Sequence, residues 1–142
     1  MTLRQLSILC LSFPVVFIFT MLFSFNSCKI SENRCMEQGK YYMGERDFLK
    51  AKTYLTEAIK QNPGNIDAYM LRAKCNMDSD SLTAAIKDYT HVINLKPSGD
   101  NYYLRACTYY VDSQDTLSKN DFRKACDLNH NKSCDLYRKY YK

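Results

Sequence analysis

The hydrophobic and polar positions of this chain follow a helical period from residue 34 to the C-terminus. Within each segment apolar or small residues return every three or four positions, the pattern of a helix with one buried face. The predicted helices span 34–44, 48–61, 66–77, 82–95, 101–111, 116–128 and a more polar 132–142. Glycine and proline are scarce, with 4 and 3 residues, and most lie at the ends of these segments. The pattern predicts an all-α fold of helical hairpins.

The first four predicted helices form two copies of one unit. Pro63 and Pro97 stand 34 residues apart, each directly after a helix-like run. Superposing the two blocks aligns residues of similar size, as in Gly39 with Ala73, Ala51 with Ala85, Phe48 with Leu82, Leu55 with Tyr89, and Ala58 with Val92. Asp47 and Ser81 also align, and both side chains are of types that cap helix N-termini. A third copy follows at a spacing of 33, where Tyr102 aligns with Tyr69.

A 34-residue period with two helices per unit resembles the tetratricopeptide repeat (TPR) family. The resemblance is carried by Gly39, Tyr42, Ala51, Ala58 and Pro63 in the first unit, and by Tyr69, Ala73, Ala85, Tyr89 and Pro97 in the second. It implies an αα-hairpin repeat solenoid of about three units in a short right-handed superhelix. The polar 132–142 segment is interpreted as a capping helix, since an open end of the stack would expose apolar surface. His130 stands where a unit-ending proline is expected.

Residues 1–27 differ from the rest of the chain in carrying a single charge, Arg4, followed by a long apolar run. From Leu6 to Phe25 this run is long enough to span a bilayer as a helix. Such a segment is a secretory signal or a membrane anchor rather than part of the fold.

The end of the apolar run, Asn26-Ser27-Cys28, resembles the lipobox of bacterial lipoproteins, although Phe25 stands where leucine is more usual. In that family the cysteine is diacylated and becomes the new N-terminus. The resemblance implies a signal peptide at 1–27, a lipidated Cys28, a short tether at 28–33 and a repeat domain at 34–142. The domain would then lie on the non-cytoplasmic face of the cell membrane or outer membrane. An uncleaved anchor and a soluble secreted product are the alternatives.

The charge balance excludes a nucleic-acid-binding surface. The chain has 20 basic and 15 acidic residues, and removing 1–27 takes away only Arg4. The remaining surplus of four is spread over the whole domain, and no basic run exceeds two residues. This surplus supports only a mild attraction to acidic partners.

Cys126 and Cys134 have seven residues between them, across the turn at 129–131. The spacing lets the end of one helix face the start of the next. It resembles the cysteine-rich Sel-like α/α repeat proteins, whose hairpins are stapled by disulfides at this interval, and the resemblance implies a Cys126–Cys134 bridge. Such a bridge persists outside the cytoplasm. A zinc site that includes His130 is disfavoured, because zinc takes four ligands and no fourth is visible nearby.

Three further cysteines lie on first helices, namely Cys35, Cys75 and Cys107. We interpret them as small buried side chains, with a Cys75–Cys107 bridge between adjacent units as the alternative.

The TPR resemblance implies that ligands lie in the concave groove, which the first helix of each unit lines. The family's phasing implies that Cys35, Gln38, Gly39 and Tyr42 pack between helices. The face beside them then carries one stripe of residues per unit at helical spacing: Met36, Lys40 and Met43, then Met70, Lys74 and Met77, then Tyr103, Cys107 and Tyr110. Methionines at helical spacing are ordinarily core residues, and that alternative stays open. A lysine in the middle of two stripes favours the groove, because core packing would not repeat an ammonium group. Methionine and tyrosine suit a peptide or helix ligand, and lysine suits its carboxylate.

The carboxylate clamp of chaperone-binding TPR proteins also needs asparagines in the groove. Asn33 and Asn76 are candidates, but the full pattern is missing.

These features predict a membrane-anchored adaptor that binds a segment of an envelope protein in its concave groove. The alternatives are a structural subunit of an envelope assembly or secretion complex, and an envelope hydrolase, which is suggested only by activities of some Sel-like proteins. No nucleophile elbow, phosphate loop or His-Glu metal motif occurs in the sequence. We therefore expect no enzymatic activity, no cofactor and no metal.

Overall fold

Seven helices make up nearly all of residues 31–141, the part of the chain that this computed structural model describes. They are α1 (Glu32–Gly44), α2 (Phe48–Gln61), α3 (Ile66–Asp78), α4 (Leu82–Leu95), α5 (Gly99–Val111), α6 (Asp115–Asp127) and α7 (Asn131–Tyr141). The predicted all-α fold of helical-hairpin repeats is confirmed, and the helix ends differ from the predicted ones by at most two residues. The predicted signal peptide, Cys28 and the beginning of the tether lie outside the described residues.

Each hairpin turn contains one residue in the left-handed region of φ. Arg46, Asp80 and Ser113 have φ of 59°, 57° and 57° in the turns that follow α1, α3 and α5. The next residue's amide then donates to a carbonyl five residues back, as Asp47 does to Tyr42 at 2.9 Å. This arrangement satisfies carbonyl groups that the end of a helix leaves unpaired.

The connection from α6 to α7 uses this hairpin turn rather than the proline loop that separates units. Asn129 has φ 64°, and the His130 amide donates to the Ala125 carbonyl at 3.0 Å. His130 also caps α7, because its Nδ1 accepts from the Ser133 amide at 3.2 Å. The missing proline therefore coincides with a change of turn type, and α6, the second helix of the third unit, also forms a C-terminal hairpin with α7.

Small residues allow the two helices of a hairpin to approach closely. A Cβ added to Gly39 on α1 would stand 2.8 Å from the Leu55 side chain on α2. Ala73 and Ala106 occupy the corresponding positions of the next units and are fully buried. The core is built mostly from small and medium side chains that link neighbouring helices, as expected for stacked helical hairpins.

The two predicted N-caps, Asp47 and Ser81, differ in whether the side chain makes a capping hydrogen bond. The Asp47 side chain accepts from the Lys50 amide at 3.1 Å, which is the expected capping bond. Ser81 occupies the N-cap position of α4 without a side-chain cap bond, since its hydroxyl donates to the Ser79 carbonyl at 3.4 Å instead.

Candidate protein-binding surface

The predicted stripe lies on α1, α3 and α5, and its two lysines reach solvent. Lys40 on α1 and Lys74 on α3 are both exposed. Because 34 residues separate them, they hold the same position in successive units. We call the surface formed by the stripe residues of these helices the first-helix face. It presents two ammonium groups in register.

The methionines of the stripe are half-buried and contact the hydrophobic core. They are Met36, Met43, Met70 and Met77. The sulfur of Met77 also accepts a hydrogen bond from the Thr108 hydroxyl at 3.3 Å and from the Tyr89 hydroxyl at 3.7 Å. These thioethers help to join neighbouring helices, so a partner could contact only their outer part.

The tyrosines of the third stripe lie in different surroundings. The ring of Tyr103 is 4.6 Å from the His130 ring, and the Lys132 ammonium group lies 5.0 Å above it. Tyr110 is 53% exposed, with its ring 6.4 Å from that of Tyr140 on α7. The structure therefore brings Tyr110 to an open surface and packs Tyr103 at the junction of α5 and α7.

An apolar cavity of about 230 Å³ opens between α5, α6 and α7. It is lined by Cys107, Tyr110, Val111, Phe122, Leu136, Tyr140 and Tyr141. Two of these residues belong to the predicted stripe, but the contribution of α7 was missed because that helix was interpreted as a polar cap. Leu136 and Tyr140, four residues apart and thus on one side of α7, were the available signal.

Cys107 contributes a thiol to the wall of this cavity. Burial raises the pKa of that thiol, while a hydrogen bond from Tyr103 and the charge of Lys132 partly offset the rise. Cys107 is therefore a mainly apolar, protonated group at neutral pH rather than a reactive thiolate.

An ion pair that the sequence analysis missed joins the two helices of the second unit, and an equivalent pair joins those of the third. Arg72 on α3 donates to Asp88 on α4 at 2.7 and 3.0 Å, and Nη1 of Arg72 reaches the Thr56 hydroxyl on α2 at 3.0 Å. The same set recurs 33 or 34 residues later as Arg105, Asp121 and Thr90. The signal lay in the sequence, since all three residue types recur at the spacing of the repeat.

The first unit has Gln38 and Tyr54 at the positions of this arginine and aspartate. Tyr54 instead stacks on Tyr42, with ring centroids 5.5 Å apart.

The Arg72–Asp88 pair also involves Asn76, which is buried and whose side-chain amide donates to Asp88 at 3.3 Å. Asn76 is thus committed to the interior and does not line a carboxylate clamp, while Asn33 is exposed.

A disulfide joins Cys126 at the end of α6 to Cys134 in the first half of α7. Cys75 and Cys107 form no disulfide with each other, and Cys35 and Cys75 are buried.

Among the residues that the structure describes, no three His, Cys, Asp or Glu side chains are grouped so that they could hold a metal ion. Between residues 31 and 141 no helix is both long and apolar enough to cross a bilayer.

Comparison with known proteins agrees with the repeat spacing. The tetratricopeptide repeat family model matches residues 33–65 and 66–98. Hsp70-Hsp90 organizing protein 3 of Arabidopsis thaliana is 35% identical over 69 residues, which are 49% of this chain and 12% of that protein. The chain therefore corresponds to a small part of this relative.

Two solved structures share the fold at low sequence identity. The MamA protein has a TM-score of 0.65 at 20% identity, with 69% of this chain and 54% of MamA covered. The first TPR domain of Spaghetti (RPAP3), bound to the HSP90 peptide SRMEEVD, has a TM-score of 0.67 at 19% identity, with 76% and 88% covered. Domains of this family are typically interaction modules without catalytic activity. Two such repeats lie at residues 33–98 of this chain, and that part of it belongs to the tetratricopeptide repeat family.

Proposed function

We propose that this protein is a membrane-anchored lipoprotein adaptor that binds a peptide or helical segment of an envelope protein along its first-helix face. The observation that carries the proposal is the pair Lys40 and Lys74. Both are exposed at the same position of successive units, between methionines that the core holds in place. A long, flexible cation repeated in register has no packing role there.

Lysine and methionine side by side suit a segment that offers both a carboxylate and apolar surface. The half-buried thioethers give an adaptable apolar floor, and the ammonium groups attract an acidic residue or a C-terminal carboxylate. Charges of this kind favour encounter and orientation of an acidic partner. The RPAP3 domain, which shares the fold, binds a peptide with three acidic residues, and this supports an acidic segment as the partner.

Attachment to the membrane rests on the sequence of residues 1–28, where an apolar run ends at Ser27-Cys28. Labelled palmitate should be incorporated into the wild-type protein and not into Cys28→Ala. Palmitate that fails to label the wild type would contradict the lipoprotein assignment and leave the uncleaved anchor.

Site-specific photo-cross-linking in intact membranes tests the adaptor function. A photoreactive residue at position 40 or 74 should form adducts with partner proteins, whereas one at Lys87, an exposed lysine on the second helix α4, should not. Adducts from Lys87 alone would place the partner on another surface.

The alternative is a stable subunit of an envelope complex that docks through its second helices. Leu49 on α2, 76% exposed, favours that alternative because a large aliphatic side chain this open suits a permanent contact. Cross-links from Leu49 to one stoichiometric partner would support the subunit, and varied partners at positions 40 and 74 would support the adaptor.

A further inference from the structure

The apolar cavity between α5, α6 and α7 has the size of a site for one side chain. Its volume of about 230 Å³ lies below the roughly 300–1,000 Å³ of pockets that hold small molecules and cofactors. Its walls are aromatic and aliphatic, and Tyr110, Val111 and Tyr140 around it are 53%, 58% and 52% exposed. Pockets of this kind receive the anchor residue of a protein partner.

Two lysines of α7 flank the cavity. The Lys139 ammonium group lies 4.8 Å above the ring of Tyr140, which lines the cavity, and Lys132 lies 5.0 Å above Tyr103, one turn before Cys107 on α5. Within residues 31–141 neither lysine has a carboxylate within 4.0 Å, whereas Arg138 of the same helix is paired with Asp135. The rim is therefore cationic and uncompensated.

We infer that this cavity binds a large apolar side chain of the partner segment, flanked in that segment by aspartate or glutamate. The inference rests on the proposed function for the existence of such a segment and adds where and how it is anchored. The apolar walls enclose the side chain, and Lys132 and Lys139 face the neighbouring carboxylates. The cavity thus extends the first-helix face to the C-terminal hairpin.

The charge of the chain disfavours two other occupants. Residues 1–27 contain no aspartate or glutamate, so this apolar segment could fill the cavity but would leave both lysines unpaired. A second copy would bring together two chains of formal net charge +5. A partner segment that carries an apolar side chain next to carboxylates satisfies both the walls and the rim.

Selection from a displayed library of random 12-residue peptides, against the full chain in lipid nanodiscs, tests this specificity. Enriched peptides should carry a large apolar residue next to aspartate or glutamate. Enrichment of basic or wholly polar peptides, or no enrichment, would overturn the inference.

Cys107 reports occupancy directly, because its thiol lines the cavity. A selected peptide, synthesised and added at saturation, should slow alkylation of Cys107 by N-ethylmaleimide about tenfold or more, as expected for a site that is occupied most of the time. Cys75 is fully buried and serves as the control whose alkylation should stay slow throughout. An unchanged rate at Cys107 with the peptide bound would place the peptide elsewhere.

Matched variants separate this inference from the proposed function. Tyr140→Ser and Lys139→Glu should each weaken the selected peptide by roughly ten- to thirtyfold. Tyr41→Ser and Lys124→Glu, which alter an exposed tyrosine and an exposed lysine of other helices, should not weaken it.

If Lys40→Glu with Lys74→Glu abolishes binding and the cavity variants do not, the proposed function stands and the inference fails. Loss in the cavity variants alone would support the cavity and contradict the role of the two lysines. A wild-type dimer that Tyr140→Ser dissociates would show that a second copy occupies the cavity.

Discussion

Arg72 and Asp88 are joined by two parallel hydrogen bonds, from Nε to Oδ2 at 3.0 Å and from Nη2 to Oδ1 at 2.7 Å. The side chains are 21% and 6% exposed, so the pair is largely withdrawn from water. Since Arg72 also donates to Thr56 in the preceding unit, it links three helices. The recurrence of the set at Arg105 makes it a regular part of how the units stack.

Removing one partner of this pair should be strongly destabilising. Arg72→Ala or Asp88→Ala leaves the other charge buried without its partner, and we expect a loss of about 3–5 kcal/mol in the free energy of unfolding. Chemical denaturation measures this loss. Arg123→Ala, which alters an exposed arginine on α6, should change stability by no more than about 0.5 kcal/mol.

Replacing both partners separates the net value of the pair from the cost of breaking it. Arg72→Met with Asp88→Leu should recover most of the stability lost in either single alanine variant, because a buried ion pair and a well-packed apolar pair are often equivalent. A double variant as unstable as the single ones would show that Thr56 and Asn76 also depend on these charges.

The disulfide should stabilise the C-terminal hairpin more than the rest of the domain. In the chain-entropy description, closing so short a loop contributes about 2.5 kcal/mol. Cys126→Ser with Cys134→Ser should therefore speed amide hydrogen exchange in α7, while amides of α1 and α2 keep their protection. Equal acceleration in all helices would mean that the domain unfolds only as a whole.

Tyr89 should make the domain sensitive to alkaline pH. Burial, followed by the charge of Asp78, raises its pKa to about 12, whereas an exposed tyrosine has a pKa near 10. Between these values the unfolded chain loses the proton and the folded chain keeps it, so stability falls as pH rises. The contribution of Tyr89 should be fully present below about pH 10 and lower by roughly 1.4 kcal/mol at pH 11.

The measurement is the difference in unfolding free energy between pH 8 and pH 11 for the wild type and Tyr89→Phe. The variant should lose about that much less stability over the interval. Tyr41→Phe, at a tyrosine that is 58% exposed, should behave like the wild type. An identical pH dependence in all three proteins would contradict the assignment.

The repeat could be predicted from the sequence because its signals are local. Matched small residues such as Gly39 and Ala73 mark where helices touch, and Pro63 and Pro97 mark where units end. The Arg72–Asp88 pair was harder to find, since its partners lie on different helices and a charged residue is ordinarily solvent-exposed. Only the recurrence at Arg105 could have identified it.

The surface was less predictable because one helical stripe can face both core and solvent. Met77 and Lys74 lie within one turn of α3, yet the thioether accepts bonds from two neighbouring helices and the lysine is exposed. The composition of α7 was also misleading. Its charged residues suggested a polar cap, yet Leu136 and Tyr140 line a cavity. Which side of a helix is covered depends on its neighbours, and sequence spacing alone does not settle it.

Charge reversal on the first-helix face shows whether Lys40 and Lys74 bind the acidic group of the partner. Lys40→Glu with Lys74→Glu should weaken binding of a cross-linked partner or selected peptide by at least about 2 kcal/mol, roughly thirtyfold. The thermal midpoint should stay unchanged, because both side chains are exposed. Lys87→Glu with Lys124→Glu, which makes the same change of net charge on second helices, controls for long-range electrostatics. Unchanged affinity with an unchanged midpoint would mean that the partner does not bind at the first-helix face, and a large drop in the midpoint would mean that the stripe belongs to the core.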